Sequence, residues 1–509
     1  MPETEKIMSV KFSFLAAAVS LLMACGGSPE DSESSEKSGG GRAPSIVFFT
    51  ATPANLPAAG GSVTLAWSVS GAASLSIDQG VGDVTGLSSK VVSVTAGKTF
   101  ALTATNAAGS SSGHATVTVA GVLEIHGKLL SYERQPVSGI TILIPGKPSV
   151  HTDSAGAFTI VGVTPPYEAW IVDTANKILV VYKGLTRSDP VLAHPEPVGS
   201  IHHASVSGAI TGGSYPEPPM HHTTVSFSSP EARTHNSTDG NGAYILPTSW
   251  RGQGSTVGAL HALQIRETSS GIPAEYKGYG KRELTLSDGL LFGPQNISMN
   301  PVASSRLSGS VLAPAGYTLS LKAAFLSVGS GPDLLFVADS SSASSFSYVS
   351  PNIPNTSLIL WSVASKAGNG VLGLRAGLAA NATGVNMTIP AAAEPISPLD
   401  AATGVNGTST FSWSAFSNGV HQIFFNPGVA GLPSYYVWTT STTTTIPDGN
   451  GLGLGLPAAS RYTWHVEGFS PYASTDAAAT TAFIDERDFR IPGEWFRSST
   501  DSRSFTTAP

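Results

Sequence analysis

The chain has 509 residues, long enough for several domains at roughly 150 residues each. Only 12% of residues are charged, against a usual share of about 25%, and the formal net charge of −7 argues against a nucleic-acid partner, which favours a basic face. With 55 Gly, 35 Pro and one cysteine, the composition points to turn-rich all-β domains held by apolar cores, because a single thiol makes no internal disulfide.

The chain starts with Lys6 and Lys11 ahead of an apolar run, Phe12–Met23, broken only by two serines. As a helix that run spans ~18 Å, too short for a hydrocarbon layer of ~30 Å, so it reads as a signal-peptide core over residues 1–24. Met8 offers a second start, complete in itself. The string Leu22-Met23-Ala24-Cys25 holds the only cysteine and resembles a bacterial lipobox. That resemblance implies cleavage before Cys25 and a lipid on its sulfur. Two or more acyl chains, at ~0.8 kcal/mol per buried methylene, give stable anchoring. Gly26 stands where inner-membrane-retained lipoproteins often carry Asp, which favours the outer membrane. Residues 25–43 form the lipidated cysteine and a flexible tether; its 26–43 portion has almost no apolar content and a span of ~25 Å. Its acidic residues, Glu30, Asp31, Glu33 and Glu36, read as a solvated run.

Residues 44–120 alternate with period two. Val63, Leu65, Trp67 and Val69 share one face, as do Leu75 with Ile77 and Phe100 with Leu102 and Ala104. A turn at Asn106–Gly109 precedes a strand at Ala115–Val119. The stretch resembles bacterial immunoglobulin-like domains without the inter-sheet disulfide, which makes Trp67 an unstapled core residue.

A repeat follows. Residues 121–198 open with Ile125–Leu129 and reach Thr152–Phe158; residues 199–302 open with Val206–Ile210 and reach Thr238–Tyr244. Each unit begins apolar-x-Gly-x-apolar and later has a Thr-Asp-x-x-Gly turn. There Asp caps backbone amides, Gly accepts positive φ, and the next aromatic, Phe158 or Tyr244, points inward. Both units resemble carboxypeptidase regulatory-like domains, small transthyretin-like sandwiches; a Pro/His-rich insertion at Ser214–His222 interrupts the second. Residues 303–394 read as a degenerate third copy, with Leu307–Val311 as the opening and Ser344–Pro354 in place of the aromatic strand. Residues 395–509 resemble a fibronectin type III-like domain. Trp413 and the strand Tyr462, Trp464, Val466 would form its core, Thr442–Pro447 an edge strand, Ile484–Trp495 a loop and Arg503–Pro509 another strand. The expected architecture is all-β: tandem β-sandwich domains in line after a lipoprotein signal peptide and flexible linker, each burying its own core.

Chemistry is sparse. No His-Glu-x-x-His motif occurs. Gly109–Gly113 matches G-x-S-x-G, but in a predicted β-turn rather than between strand and helix, so Ser111 is not a nucleophile candidate. Gly451–Leu456 has the wrong spacing for a phosphate loop. His202, His203, His221, His222, His235 and His261 fall in one predicted domain; imidazoles could bind a metal, but surface histidines in polar loops are the commoner case. Asp239–Gly242 has part of a calcium-loop spacing and lacks the remaining carboxylates. Tyr167, Trp170, Trp250, Tyr276 and Tyr279 could stack on sugar rings or serve as core.

No catalytic, cofactor or metal residue is therefore assigned; the one site residue is Cys25, and its partner is membrane lipid. The leading reading is a non-catalytic envelope lipoprotein displaying β-sandwiches for adhesion, spacing or assembly, with a polysaccharide or protein partner left open. The alternatives are an array of glycan-binding modules and an enzyme with a cryptic site.

Overall fold

The computed structural model describes residues 42–58, 60–119, 121–196, 199–328, 332–366, 369–486 and 493–509. Cys25, the apolar run before it and most of the tether lie outside the described residues. Among the described residues two compact units result, one of residues 42–124 with 161–167, the other of residues 125–160 and 168–509. Both are built of β-strands; among the described residues the α-helices are two short ones, Thr475–Ala478 and Thr481–Glu486.

In the first unit, Ser45–Thr52, Gly61–Ser70 and Ser89–Val94 form one sheet, and a second of five strands includes Lys98–Asn106 and Gly109–Val119. The period-two pattern sets the core: Val63, Leu65, Trp67, Phe100 and Leu102 all point between the sheets. Trp67 is 3% exposed, donates its Nε1–H to the Leu87 carbonyl at 2.9 Å, and meets Phe49 edge-on. This is the immunoglobulin-like arrangement, held without a disulfide.

In the second unit, the opening glycine of each repeat has a steric reason. A Cβ at Gly127 would meet the Phe158 ring at 2.1 Å. One at Gly208 would meet the Gln295 carbonyl oxygen at 2.4 Å, and Gly208 lies cross-strand from Tyr244. One at Gly309 would meet the Val385 carbonyl oxygen at 1.9 Å, and Gly309 lies cross-strand from Phe346. Residues 303–394 thus keep the glycine–aromatic pair although the Asp-Gly turn is gone. Where that turn exists, the Asp153 Oδ1 accepts from the amides of Ala155 and Ala157, both at 2.8 Å, and the Asp239 Oδ1 from those of Asn241 and Ala243. Gly156 and Gly242 follow at φ +71° and +90°.

The second repeat keeps a core of its own, but the other three stretches of this unit share a sheet rather than standing apart. A 14-stranded sheet runs through strands of the first repeat, of residues 395–509 and of residues 303–394. At one seam Ile178–Leu185 pairs in parallel with Ser434–Thr439, from Ile178 opposite Ser434 to Tyr182 opposite Trp438. At the other, Gly493–Ser499 lies between Arg461–Ser470 and Asn369–Leu378. One core accordingly mixes Leu179 and Val181 of the first repeat with Phe411, Trp413, Tyr462, Trp464 and Val466. The expected loop Ile484–Trp495 is also corrected. Its start closes the helix Thr481–Glu486 and its end opens the strand Gly493–Ser499, because Trp495, 6% exposed, packs opposite Leu374.

Side chains fasten both seams. Tyr182 stacks on Trp438 with centroids 5.6 Å apart, and Phe469 and Phe483 close around the same indole. The Asp476 Oδ1 accepts from the Thr186 amide at 2.8 Å, and the Arg187 Nη1 donates to the Asp476 carbonyl at 2.9 Å. Across the second seam the Arg375 Nη1 lies 3.9 Å from the Glu494 carboxylate, and beside it, within residues 395–509, Arg497 grips Glu467, with Nη2 2.8 Å from Oε1 and Nε 3.2 Å from Oε2. Burial works against the charge on Arg497, but the Glu467 carboxylate outweighs it and raises the guanidinium pKa.

Trp438 is fully buried, so Trp438→Ala is expected to lower stability by about 3–5 kcal/mol, read as a lower denaturation midpoint of residues 125–509. Gly309→Ala should cost about 1–3 kcal/mol through its collision with backbone, whereas Gly407→Ala, in open space, should cost nothing measurable by the same denaturation curve.

Candidate functional site

The six histidines of the second repeat are dispersed. His202 has Nδ1 3.0 Å from Asp288 and Nε2 3.0 Å from the Gly252 carbonyl oxygen; the Asp288 carboxylate and then that carbonyl raise its pKa. His222 lies 3.7 Å from Glu267, and the His221 Nδ1 faces the Pro219 carbonyl. His261 is buried against the Tyr279 hydroxyl at 2.8 Å. His203 and His235 are exposed. Among the described residues no three His, Cys, Asp or Glu side chains converge as metal ligands. Asp239 serves its own turn, as described above.

The aromatics are largely core. Trp250 is 3% exposed, with its Nε1–H on the Gln253 carbonyl at 2.7 Å; Tyr276 is 1% exposed and Tyr167 6%. Trp170 is half-buried, donates to Glu168 at 3.0 Å and packs against the mixed core. Tyr279 is partly buried beside His261. Gly109–Gly113 lies in a strand, not the expected turn, because Ser110, Ser111 and Ser112 pair with Thr105, Ala104 and Thr103. The Ser111 hydroxyl donates to the Pro44 carbonyl at 2.6 Å.

Other polar groups are buried in pairs. Lys322, fully buried, donates to the Ser341 carbonyl at 2.6 Å and sits 3.3 Å from Asp339, which also accepts from the Tyr348 hydroxyl at 2.8 Å. Burial first, then Asp339, pushes the Tyr348 pKa up, so the phenol stays a donor. His194 contacts Asp173 at 3.1 Å with both side chains almost fully buried. Burial works to raise the Asp173 pKa but is outweighed by hydrogen bonds from Asn176 and by His194, which lower it. His421 accepts the Phe416 amide at 2.9 Å on Nε2 and lies edge-on to Trp413.

A concave site that the sequence reading missed opens between the first two repeats. It has a volume of about 440 Å3 and presents Glu133, Glu231, Arg233 and Arg251 around Tyr132 and Ile201. The loop after Leu123–Ser131 places Glu133: the Ser131 hydroxyl accepts from the Glu133 amide at 3.1 Å, and Arg134, at φ +64°, reaches the Pro230 carbonyl. Glu231 is set by a turn in which the Ser229 hydroxyl accepts from the Ala232 amide at 2.9 Å. Its Oε2 accepts from Thr256 at 2.6 Å. Arg251 ends the strand Ala243–Arg251, opposite Ile201, and Arg233 begins the strand Arg233–Ser237. Nothing in the spacing of these four charges announces the site; two turns and two strand ends bring them together.

The fold defines an all-β protein of tandem immunoglobulin-like and related β-sandwiches. No family model matches the chain, and no curated protein matches it. Similar solved structures include the TIE protein of Bacillus anthracis, 10% identical, matching 68% of this chain and 74% of that one with a TM-score of 0.16. A fimbrial assembly protein from Parabacteroides distasonis is 10% identical over 35% of this chain and 96% of its own, TM-score 0.15. The immunoglobulin domains 1–5 of Sidekick-1 are 10% identical over 92% and 98%, TM-score 0.15.

Burial pushes His261 and His421 each down to about 4; the nearby Lys281 adds to this at His261. An unfolded chain takes up these protons near 6.5, the folded one only near 4. Stability therefore falls as pH drops from about 6.5 toward 4, by about 3 kcal/mol per histidine. His421→Gln should flatten that fall, measured as urea midpoints at pH 7, 5.5 and 4.5.

Proposed function

We propose that the chain is a non-catalytic envelope lipoprotein that holds β-sandwich modules off a membrane for adhesion or assembly. The acylated Cys25 retains it, the tether gives reach, and the module surfaces meet a partner. Gly26 after the cysteine favours the outer membrane. Supporting this reading is the continuous sheet described above, which fastens the first repeat, residues 303–394 and residues 395–509 into a single body suited to display. Among the described residues no helix is long and apolar enough to cross a membrane. In this reading retention falls to the lipid.

Metabolic labelling with an alkyne fatty acid, followed by membrane fractionation, tests it. The wild-type chain should carry label and sediment with membranes, and Cys25→Ser should lose the label and become soluble. A native chain that is unlabelled, soluble and still carries its first two dozen residues would refute the anchor.

A further inference from the structure

We infer that the cleft between the first two repeats binds a polypeptide segment carrying an acidic and a basic side chain a few residues apart. The inference rests on the display reading and names the partner class of that surface. Three observations carry it. First, the cleft has a built wall on each side. Arg134 and Gln135 of the first repeat seat against the second, with the Arg134 guanidinium on the Pro230 carbonyl and the Gln135 amide against Gly252, where a Cβ would meet it at 2.4 Å. At about 440 Å3 the space falls within the ~300–1,000 Å3 of pockets that enclose small ligands, room for about two or three residues of a peptide.

Second, the charges are mixed. Two guanidinium groups, Arg233 and Arg251, share the cleft with two carboxylates, Glu133 and Glu231. Planar guanidinium suits bidentate recognition of a carboxylate. Carboxylates on the same walls suit an ammonium or guanidinium and repel a phosphate or uronate chain. The complement is a ligand with both signs. Third, the larger aromatic of the lining offers little face to a sugar: Trp250 is 3% exposed, its N–H is tied to Gln253, and His202 lies beside its ring at 5.7 Å, which leaves the half-buried Tyr132 as the aromatic edge of the cleft. Ile201, 50% exposed and opposite Arg251, leaves an apolar rib between the charges, as a peptide backbone and its side-chain stems would need.

The test is fluorescence anisotropy on the purified full chain in detergent. The probes are dye-labelled hexapeptides with one Glu and one Lys separated by one to four residues, versions with Gln in place of either, and an oligogalacturonate. At least one mixed-charge peptide should bind with a Kd on the order of tens of micromolar. Arg251→Gln and Glu133→Gln should each weaken it about tenfold or more, while Arg306→Gln, outside the cleft, leaves it unchanged. Thermal melts check that each variant is folded. The proposal is overturned if no mixed-charge peptide binds, if cleft variants leave binding intact, or if peptides with acid alone or the oligogalacturonate bind better and Glu133→Gln strengthens them. Acyl labelling is read separately, so peptide binding without the lipid would leave this site standing and remove only the anchor.

Discussion

Main-chain hydrogen bonding across two seams is the constraint on which the larger unit depends. Where Ile178–Leu185 and Ser434–Thr439 run side by side, each strand satisfies the amide and carbonyl groups that would otherwise form an open edge. The same holds where Gly493–Ser499 lies against Asn369–Leu378. Residues 395–509 are thus less a further bead than a splint across two others. The side chains follow the backbone: Tyr182 meets Trp438 and Glu467 meets Arg497 because the strands already share a sheet. The Arg497 pair is bidentate and Glu467 is 7% exposed, so removing one partner leaves a poorly hydrated charge.

The local elements were legible because they depend on short-range patterns. Val63, Leu65 and Trp67 alternate, and alternation can place only one set of side chains between two sheets. The turn at Thr152–Gly156 was legible for a similar reason: the donors and acceptor that close it lie within four residues. The glycine–aromatic pairing survives in residues 303–394, where Gly309 faces Phe346, even though serines replace the turn that would announce it. The seams were not legible. Ile178–Leu185 reads as an apolar run that any sandwich would bury, and nothing in it specifies residues 434–439 as the cover. The strand Gly493–Ser499 was hidden by charges, since Glu494 and Arg497 look solvated until Glu467 is known to face the guanidinium.

The site was less legible than the fold. Histidines stand out by number, yet their surroundings decide their roles: burial keeps His261 and His421 neutral, while His202 lies between a carboxylate and a carbonyl that favour its cation. Trp250 looked like a platform and is a core residue. The cleft residues drew none, because Glu133 and Arg251 are ordinary surface types until a loop of one repeat seats against the next. Cys25 remains a sequence-level assignment, outside the described residues.

The parallel seam also orders events in time. Lys183 and its partner Thr444 are 261 residues apart along the chain. During synthesis the strand Ile178–Leu185 emerges long before its cover exists, with apolar side chains and an unpaired edge exposed together. Closing a loop of that length comes late, and contacts of such separation slow folding. Until Ser434–Thr439 arrives, that open edge is exposed to mispairing, the hazard that grows with the separation of the strands a sheet must join.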